Sequence, residues 1–546
     1  MSAEREPLKD DSPSALKKIN STEGKIQGAF GTINLEDRTP SRTWRQRLLT
    51  LAAIMGPGII VLVGDNDAGG VATYAQAGQN AGYSLLWTLI LLVPVLIVNQ
   101  EMVVRLGAVT GMGLAKLITE RFGKLWGWYS VAGLFLLNFL VISTEFIGIK
   151  LAGEYFGFSS YIVVPLATLL LIGITLSGNF QRWERAMFVF LFGSLLALPL
   201  AVFSHPNLGE AARGFVVPGM QGGLTSNGAL LIFAIVGTTV APWQLYFQQS
   251  NVVDKRITPR YLDFEKADTV LGAVIVVIGA AAIMMATASA FSGTSEAGHF
   301  VDAYWVARGL AEHINPAVGA IFALLLLDAS IVGASAVTLT TSYAFGDVFG
   351  IRQSLHRRVG EAKLFYGTYA GMVALAASVA LLPRVPLGLI TTAVQVLAGI
   401  LLPSATVFAL LLCNDAGLLG PWVNRPWLNV VAVFIVGVLL SLSTILVIST
   451  VFTAVSVTAL SIVCAVVVAL ATGATAGWSL RPAPLPPEFR DMSPDERQDW
   501  RMPALALLER PPLSPVRRWA MVALSAYVGL TILMLVVKAI EIATGG

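Results

Sequence analysis

Apolar runs of roughly 18 or more residues, the length that crosses a bilayer as a helix, recur near 47–64, 83–104, 127–151, 160–177, 186–204, 228–250, 268–291, 316–345, 364–383, 388–413, 428–448, 453–477 and 519–540. They predict an all-α polytopic membrane chain with thirteen spans. Two spans are interrupted. Between Leu49 and Val104 the pattern breaks at Gly64-Asp65-Asn66-Asp67-Ala68-Gly69-Gly70, and the sixth span breaks at Gly237-Thr238-Thr239-Val240-Ala241-Pro242-Trp243. Backbone leaves the helix at membrane depth only where it is buried in protein or lines a water-filled cavity, and an ionisable side chain there is costly enough to be read as functional. Paired broken helices are the sequence mark of a secondary transporter with its site near the midplane.

Composition agrees: 55% of the 546 residues are hydrophobic and 13% charged, with a mean hydropathy of +0.72. Residues 1–46 are polar and lack an apolar signal-peptide core, so they read as a disordered cytoplasmic tail. The domain plan is then a first five-helix repeat over 47–204, a second over 228–413, two accessory helices over 428–477, a Pro- and Arg-rich linker over 478–518 and a final helix within 519–546. Lys and Arg concentrate in cytoplasmic loops. Arg42, Arg45, Arg47, Lys116, Arg121, Lys124, Arg182, Arg185, Lys255, Arg256, Arg260, Arg352, Arg357, Arg358 and Lys363 fall on one side, against Arg213, Arg308 and Arg384 on the other. That bias puts the N-terminus and the linker inside the cell, in its plasma membrane.

The first broken span reads as a half-helix ending near Val63, an extended segment, and a second half-helix from near Val71 toward Gly78. Asp67 projects into the gap, and the carbonyls near Gly64 carry the negative end of a helix dipole. Pro242 has no N–H, which frees a carbonyl near Thr238. A carboxylate and loose carbonyls make a hard-oxygen cation site. Bland readings stand beside this one: Pro242 alone is equally a kink, an Asp in an apolar span also serves as a cap, and Asp65 and Asn66 read first as caps of the half-helices.

Other chemistries have little support. Cys413 and Cys464 sit in or beside apolar spans with no metal-binding spacing, and His205, His299, His313 and His356 fall in predicted loops. Walker A, Gly-x-Ser-x-Gly and kinase signatures are missing, so neither an enzyme nor an ATP-driven pump is expected. No cofactor and no nucleic-acid partner is expected either. Oligomeric state is open, with a monomer compatible.

Gly56-Pro57-Gly58, Asp67-Ala68-Gly69-Gly70, Ala75-Gln76-Ala77-Gly78 and Gly82-Tyr83-Ser84-Leu85-Leu86-Trp87 resemble the first-span signature of the Nramp divalent-metal transporters. The resemblance continues at Arg105-Leu106-Gly107 with Thr110-Gly111, at Glu145-Phe146-Ile147-Gly148, at Pro242 with Leu245-Tyr246, and from Gln395 to Pro403, covering about residues 45–450. It implies an inverted five-plus-five repeat of the LeuT type, alternating access, and a divalent cation between the first and sixth helices. It also implies that Glu145 reaches the ion's hydration shell and that Gln395 approaches the ion in one state of the cycle.

The departures are informative. Where Nramp proteins have Asp-Pro-Gly-Asn, this chain has Asp67-Ala68-Gly69-Gly70, so a ligating Asn is replaced by Gly70. Where they have Met-Pro-His, it has Ala241-Pro242-Trp243, losing the soft thioether suited to transition metals and an imidazole that takes a proton. Trp243 is only a donor. The Asp expected three residues before Glu145 is Ile142. This pattern resembles the Nramp-related magnesium transporters, because Mg²⁺ is hard, keeps several waters and needs one or two carboxylates. The expected metal-site groups are Asp67, the carbonyls of Gly64 and Thr238, Glu145 and Gln395; Gly70 and Ala241 make volume, and Trp243 walls the cavity. Asp328 matches no family position and reads as a structural polar contact. The expected function is uptake of Mg²⁺, and of Mn²⁺, without protons; proton-coupled Mn²⁺/Fe²⁺ transport and Na⁺-coupled transport of an organic solute are the alternatives.

Overall fold

A computed structural model of the chain describes residues 24–35, 43–220, 226–351, 353–383, 386–451, 455–479, 489, 492–508 and 515–544. The expectations for the rest of the N-terminal tail, for Arg42, Arg352 and Arg384, and for much of the linker lie outside those residues. A short hairpin, β1 (Lys25–Gly28) and β2 (Gly31–Asn34), precedes the helices. Among them are α1 (Trp44–Ile54), α2 (Pro57–Val63), α3 (Ala68–Ala81), α4 (Leu86–Thr110), α5 (Lys124–Tyr155), α6 (Ser160–Leu176), α7 (Phe180–Phe203), α8 (Ser226–Thr239), α9 (Pro242–Asp254), α10 (Leu262–Phe291), α11 (Pro316–Phe349), α12 (Lys363–Ala380), α13 (Leu387–Cys413), α14 (Pro426–Val451), α15 (Val457–Ser479) and α16 (Pro515–Thr544).

Among the described residues nine helices are long and apolar enough to cross a membrane, counting α8 and α9 as one, and ten if α1 and α2, bent by 58°, make one span. The helix order gives two runs of five, α2/α3 to α7 and α8/α9 to α13, each opening on a broken helix. This is the expected LeuT-type plan. α10 packs on α2 and α3, α11 on α5, and α8 on α13, so each broken helix is enclosed by unbroken ones. Apolar side chains such as Leu166, Leu169, Phe192, Val463 and Leu470 are exposed, a surface made for hydrocarbon rather than water.

Three expectations change. The run 47–64 is divided: Gly56, at φ +153°, turns the chain between α1 and α2, so the half-helix that ends at Val63 begins at Pro57. The second half-helix starts at Ala68 rather than near Val71, because the Asp67 side chain accepts the Gly70 N–H at 2.7 Å and caps α3. The tail is not wholly disordered: at the hairpin turn the Ala29 N–H donates to Glu184 Oε2 at 2.5 Å, Gln181 and Arg185 donate to the carbonyls of Gly28 and Ala29, and Phe30 lies edge-on to Phe188 at 4.6 Å.

The hairpin sits at the end of the bundle that carries the basic loops. There Lys255 Nζ donates to Glu184 Oε1 at 2.6 Å and to the Met55 carbonyl at 2.8 Å, with both charged side chains fully buried. Asp268 Oδ2 accepts the N–H groups of Gly56 and Gly58 at 3.1 and 2.7 Å. Four elements, β1–β2, α2, α7 and α10, thus close on the residue that ends α9. Residues 492–508 of the linker join the same end, through Arg260 to Asp499 at 2.8 Å and Met502 N–H to the Val109 carbonyl at 3.3 Å.

Candidate functional site

At the first break the chain tightens into a turn, with Asp65 N–H donating to Leu62 O and Asn66 N–H to Val63 O, both at 3.2 Å. Asp67 is extended. The amide that would satisfy the Gly64 carbonyl in a continuing helix belongs to Ala68, and it donates instead to Glu145 Oε2 at 3.0 Å. At the second break Ala241 is extended and Pro242 opens α9. Pro242 offers no N–H, so the Thr238 carbonyl has no helical donor, and the Gln244 side-chain amide reaches the Thr239 carbonyl at 3.4 Å.

The two breaks face each other. A Cβ on Gly70 would lie 2.7 Å from the Asp65 carbonyl oxygen and 3.3 Å from Thr238 Oγ1, and one on Gly333 of α11 would lie 2.8 Å from both Asp67 Cβ and Glu145 Cδ. Glycine at these positions therefore lets Asp65, Asp67, Glu145 and Thr238 converge. Gln395 of α13 rests over Gly69. Asp67, Glu145, Thr238 and Gln395 are all buried, and Glu145 Oε1, Thr238 Oγ1 and Gln395 Nε2 have no hydrogen-bond partner. Among the described residues none of the three carboxylates pairs with Lys or Arg. No three His, Cys, Asp or Glu side chains among them close on one point as metal ligands.

Asp65, which reads from the sequence first as a cap, does not fill that role: Asp67 and Glu145 hold the amides at the start of α3, and the Asp65 carboxylate is fully buried with no backbone donor. Gln244, on α9, faces it and accepts from Gln100 Nε2 at 3.3 Å; Tyr74 OH and Thr239 Oγ1 pair at 2.8 Å nearby. Polar residues just past Pro242 in an apolar span were the available signal. Ala241 contributes only a methyl group at its cap position. Trp243 begins an aromatic column through Phe247, Trp183 and Phe180, with ring centroids 6.0 to 6.2 Å apart, which runs toward the basic end. Asp328 lies away from the site, against Gly193 of α7. On the other side of Ala68 a small cavity of about 10 Å³ lies among Gly148, Thr391 and Asp302.

Residues 58–449 match the family described as Natural resistance-associated macrophage protein-like. The chain belongs to the Nramp family. Members of this family are membrane transporters, not enzymes. This Nramp protein is 27% identical over 440 residues to the Divalent metal cation transporter MntH of Latilactobacillus sakei subsp. sakei, spanning 74% of this chain and 90% of that relative. It is 28% identical over 437 residues to the protein of the same name from Pectobacterium carotovorum subsp. carotovorum, spanning 75% and 97%. A crystal structure of a single-site mutant of the Eremococcus coleocola manganese transporter superposes with a TM-score of 0.61 at 20% identity, covering 84% of this chain and 98% of that one. The last likeness is one of fold.

Proposed function

We propose that this Nramp protein carries a divalent cation, Mg²⁺ and also Mn²⁺, into the cell by alternating access, without protons and with the ion still partly hydrated. Its donor set carries the reading. Asp65, Asp67 and Glu145 and the carbonyls of Gly64 and Thr238 offer oxygen around the two breaks, Gln395 turns its Nε2 toward Gly69, and Gly70 and Ala241 offer no side-chain ligand. Hard oxygen without a soft ligand suits Mg²⁺ and removes the means of preferring Mn²⁺. Trp243 and Ile142, where Nramp proteins are expected to have His and Asp, take no proton at neutral pH.

The basic loops, the hairpin and the linker share one end, which supports a plasma-membrane topology with the N-terminus in the cytoplasm. A membrane potential contributes about 2.3 kcal/mol per charge per 100 mV, so inward flow of a divalent ion needs no coupled proton. Proteoliposomes carrying Mg²⁺ and pH reporters test this. Mg²⁺ flux without proton flux, abolished by Asp67→Ala, is the expected result. Mn²⁺ flux with protons and no Mg²⁺ flux would restore the proton-coupled reading, and absence of any divalent flux would favour an organic substrate.

A further inference from the structure

Nearer the basic end than Asp67, between α9 and α10, a second group of buried oxygens has no partner. Glu265 is fully buried, and neither of its carboxylate oxygens makes a hydrogen bond; the same holds for Asp268 Oδ1 and Gln248 Oε1. Glu265 and Asp268 stand three residues apart on α10 and so share a face. Gln248 stands beside them: its Nε2 donates to Thr269 Oγ1 at 2.9 Å and lies within reach of Glu265, which leaves its Oε1 without a donor. The donors nearby are spent. Lys255 Nζ is held by Glu184 and Met55, and the N–H groups of Gly56 and Gly58 serve Asp268 Oδ2.

Buried oxygens that outnumber the donors around them are a setting that a cation satisfies. We propose that Glu265, Asp268 and Gln248 form a second site for a hard divalent cation, on the route between Asp67 and the basic end. Two carboxylates, an amide oxygen and retained waters are a ligand set that Mg²⁺ or Mn²⁺ accepts. The route is built into α9: Gln244, Gln248, Asn251 and Lys255 follow one helical face, all are buried, and both side-chain atoms of Asn251 lack partners. Two weak sites in series let an ion leave a site that bound it well enough to admit it.

The proposal does not rest on the Asp67 reading, and the test separates them. Mn²⁺, followed by loss of its free electron paramagnetic resonance signal, is titrated into the full chain in nanodiscs. Wild type is expected to bind two ions, Asp67→Ala and Glu265→Gln one each, and the double variant none. Binding of no ion by Asp67→Ala, or residual binding that Glu265→Gln leaves unchanged, would overturn the second site and assign those oxygens to protons. Equal binding by wild type and Asp67→Ala, still reduced by Glu265→Gln, would count against Asp67 alone. Gln248→Ala, which alters no charge, is expected to weaken the residual site about tenfold; unchanged affinity would also overturn it.

Discussion

Glu145 takes the amide that Gly64 would have used had the first span continued as a helix: its Oε2 accepts the Ala68 N–H at 3.0 Å. One oxygen of the third-span acid is thus committed to holding α3 in place, while Oε1 remains unpartnered. The two duties separate by substitution. Glu145→Gln keeps an oxygen for Ala68 and loses only the charge, so melting in detergent is expected near the wild-type temperature while divalent affinity falls. Glu145→Ala strands a buried N–H, which costs about 1–3 kcal/mol, and is expected to melt clearly lower. Equal melting of the two variants would mean that the Ala68 bond does not hold the break.

Asp67 spends one oxygen on Gly70, whereas neither oxygen of Asp65 is held by a backbone amide. Asp65→Asn is therefore expected to raise the Mg²⁺ concentration for half-maximal uptake by tenfold or more, which corresponds to about 1.4 kcal/mol, with maximal uptake much less affected. An unchanged half-maximal concentration would return Asp65 to a structural role.

The spans, the two breaks and Asp67 were legible because Gly, Asp and Pro inside apolar runs have few bland explanations. The hairpin was not legible: its strands lie in a polar stretch that cannot bury itself, and its partner Glu184 lies 155 residues from Ala29. Asp65 reads as a cap because residues beside a break commonly cap it, and only the structure shows Asp67 and Glu145 already doing so. The polar face Gln244, Gln248, Asn251 and Lys255 gains meaning only once Glu265 and Asp268 are seen opposite it.

Ala241 stands at the cap of α9 with a methyl where a thioether is expected in the family. Ala241→Met supplies a soft ligand and fills volume at a buried site, with a packing cost of about 1–3 kcal/mol. Uptake of a soft ion such as Cd²⁺ is expected to rise while Mg²⁺ uptake falls. A parallel loss for both ions would show that volume alone matters at this position.

The Glu184–Lys255 pair, buried and joined at 2.6 Å, closes the basic end. Removing one partner of a buried pair leaves an uncompensated charge and costs about 3–5 kcal/mol. Lys255→Ala is expected to lower the melting temperature and to expose cysteines introduced along α2 to thiol reagents from the basic side. Restoring neutrality with Lys255→Ala/Glu184→Gln is expected to recover part of the stability. If the double variant melts no higher than the single one, the pair contributes through packing rather than charge.

His356 gives the same end a dependence on pH. Its Nε2 donates to the Asp254 carbonyl at 3.1 Å, its ring stacks on Phe180 at 5.3 Å, and Ser354 and the Leu355 N–H bind the Asp254 carboxylate. Burial pushes the imidazole below its ordinary value, with Asp254 opposing and Arg256 reinforcing the shift. A histidine whose pKa is lowered by folding is neutral in the folded chain and charges more readily in the unfolded one. Protonation then favours unfolding, and stability is lost as pH falls below about 6.5, the ordinary histidine value. Melting of the wild type is expected to decline as pH falls below about 6.5, and His356→Gln, which keeps a donor for Asp254 without titrating, is expected to reduce that decline. An identical decline in the variant would place the acid sensitivity elsewhere.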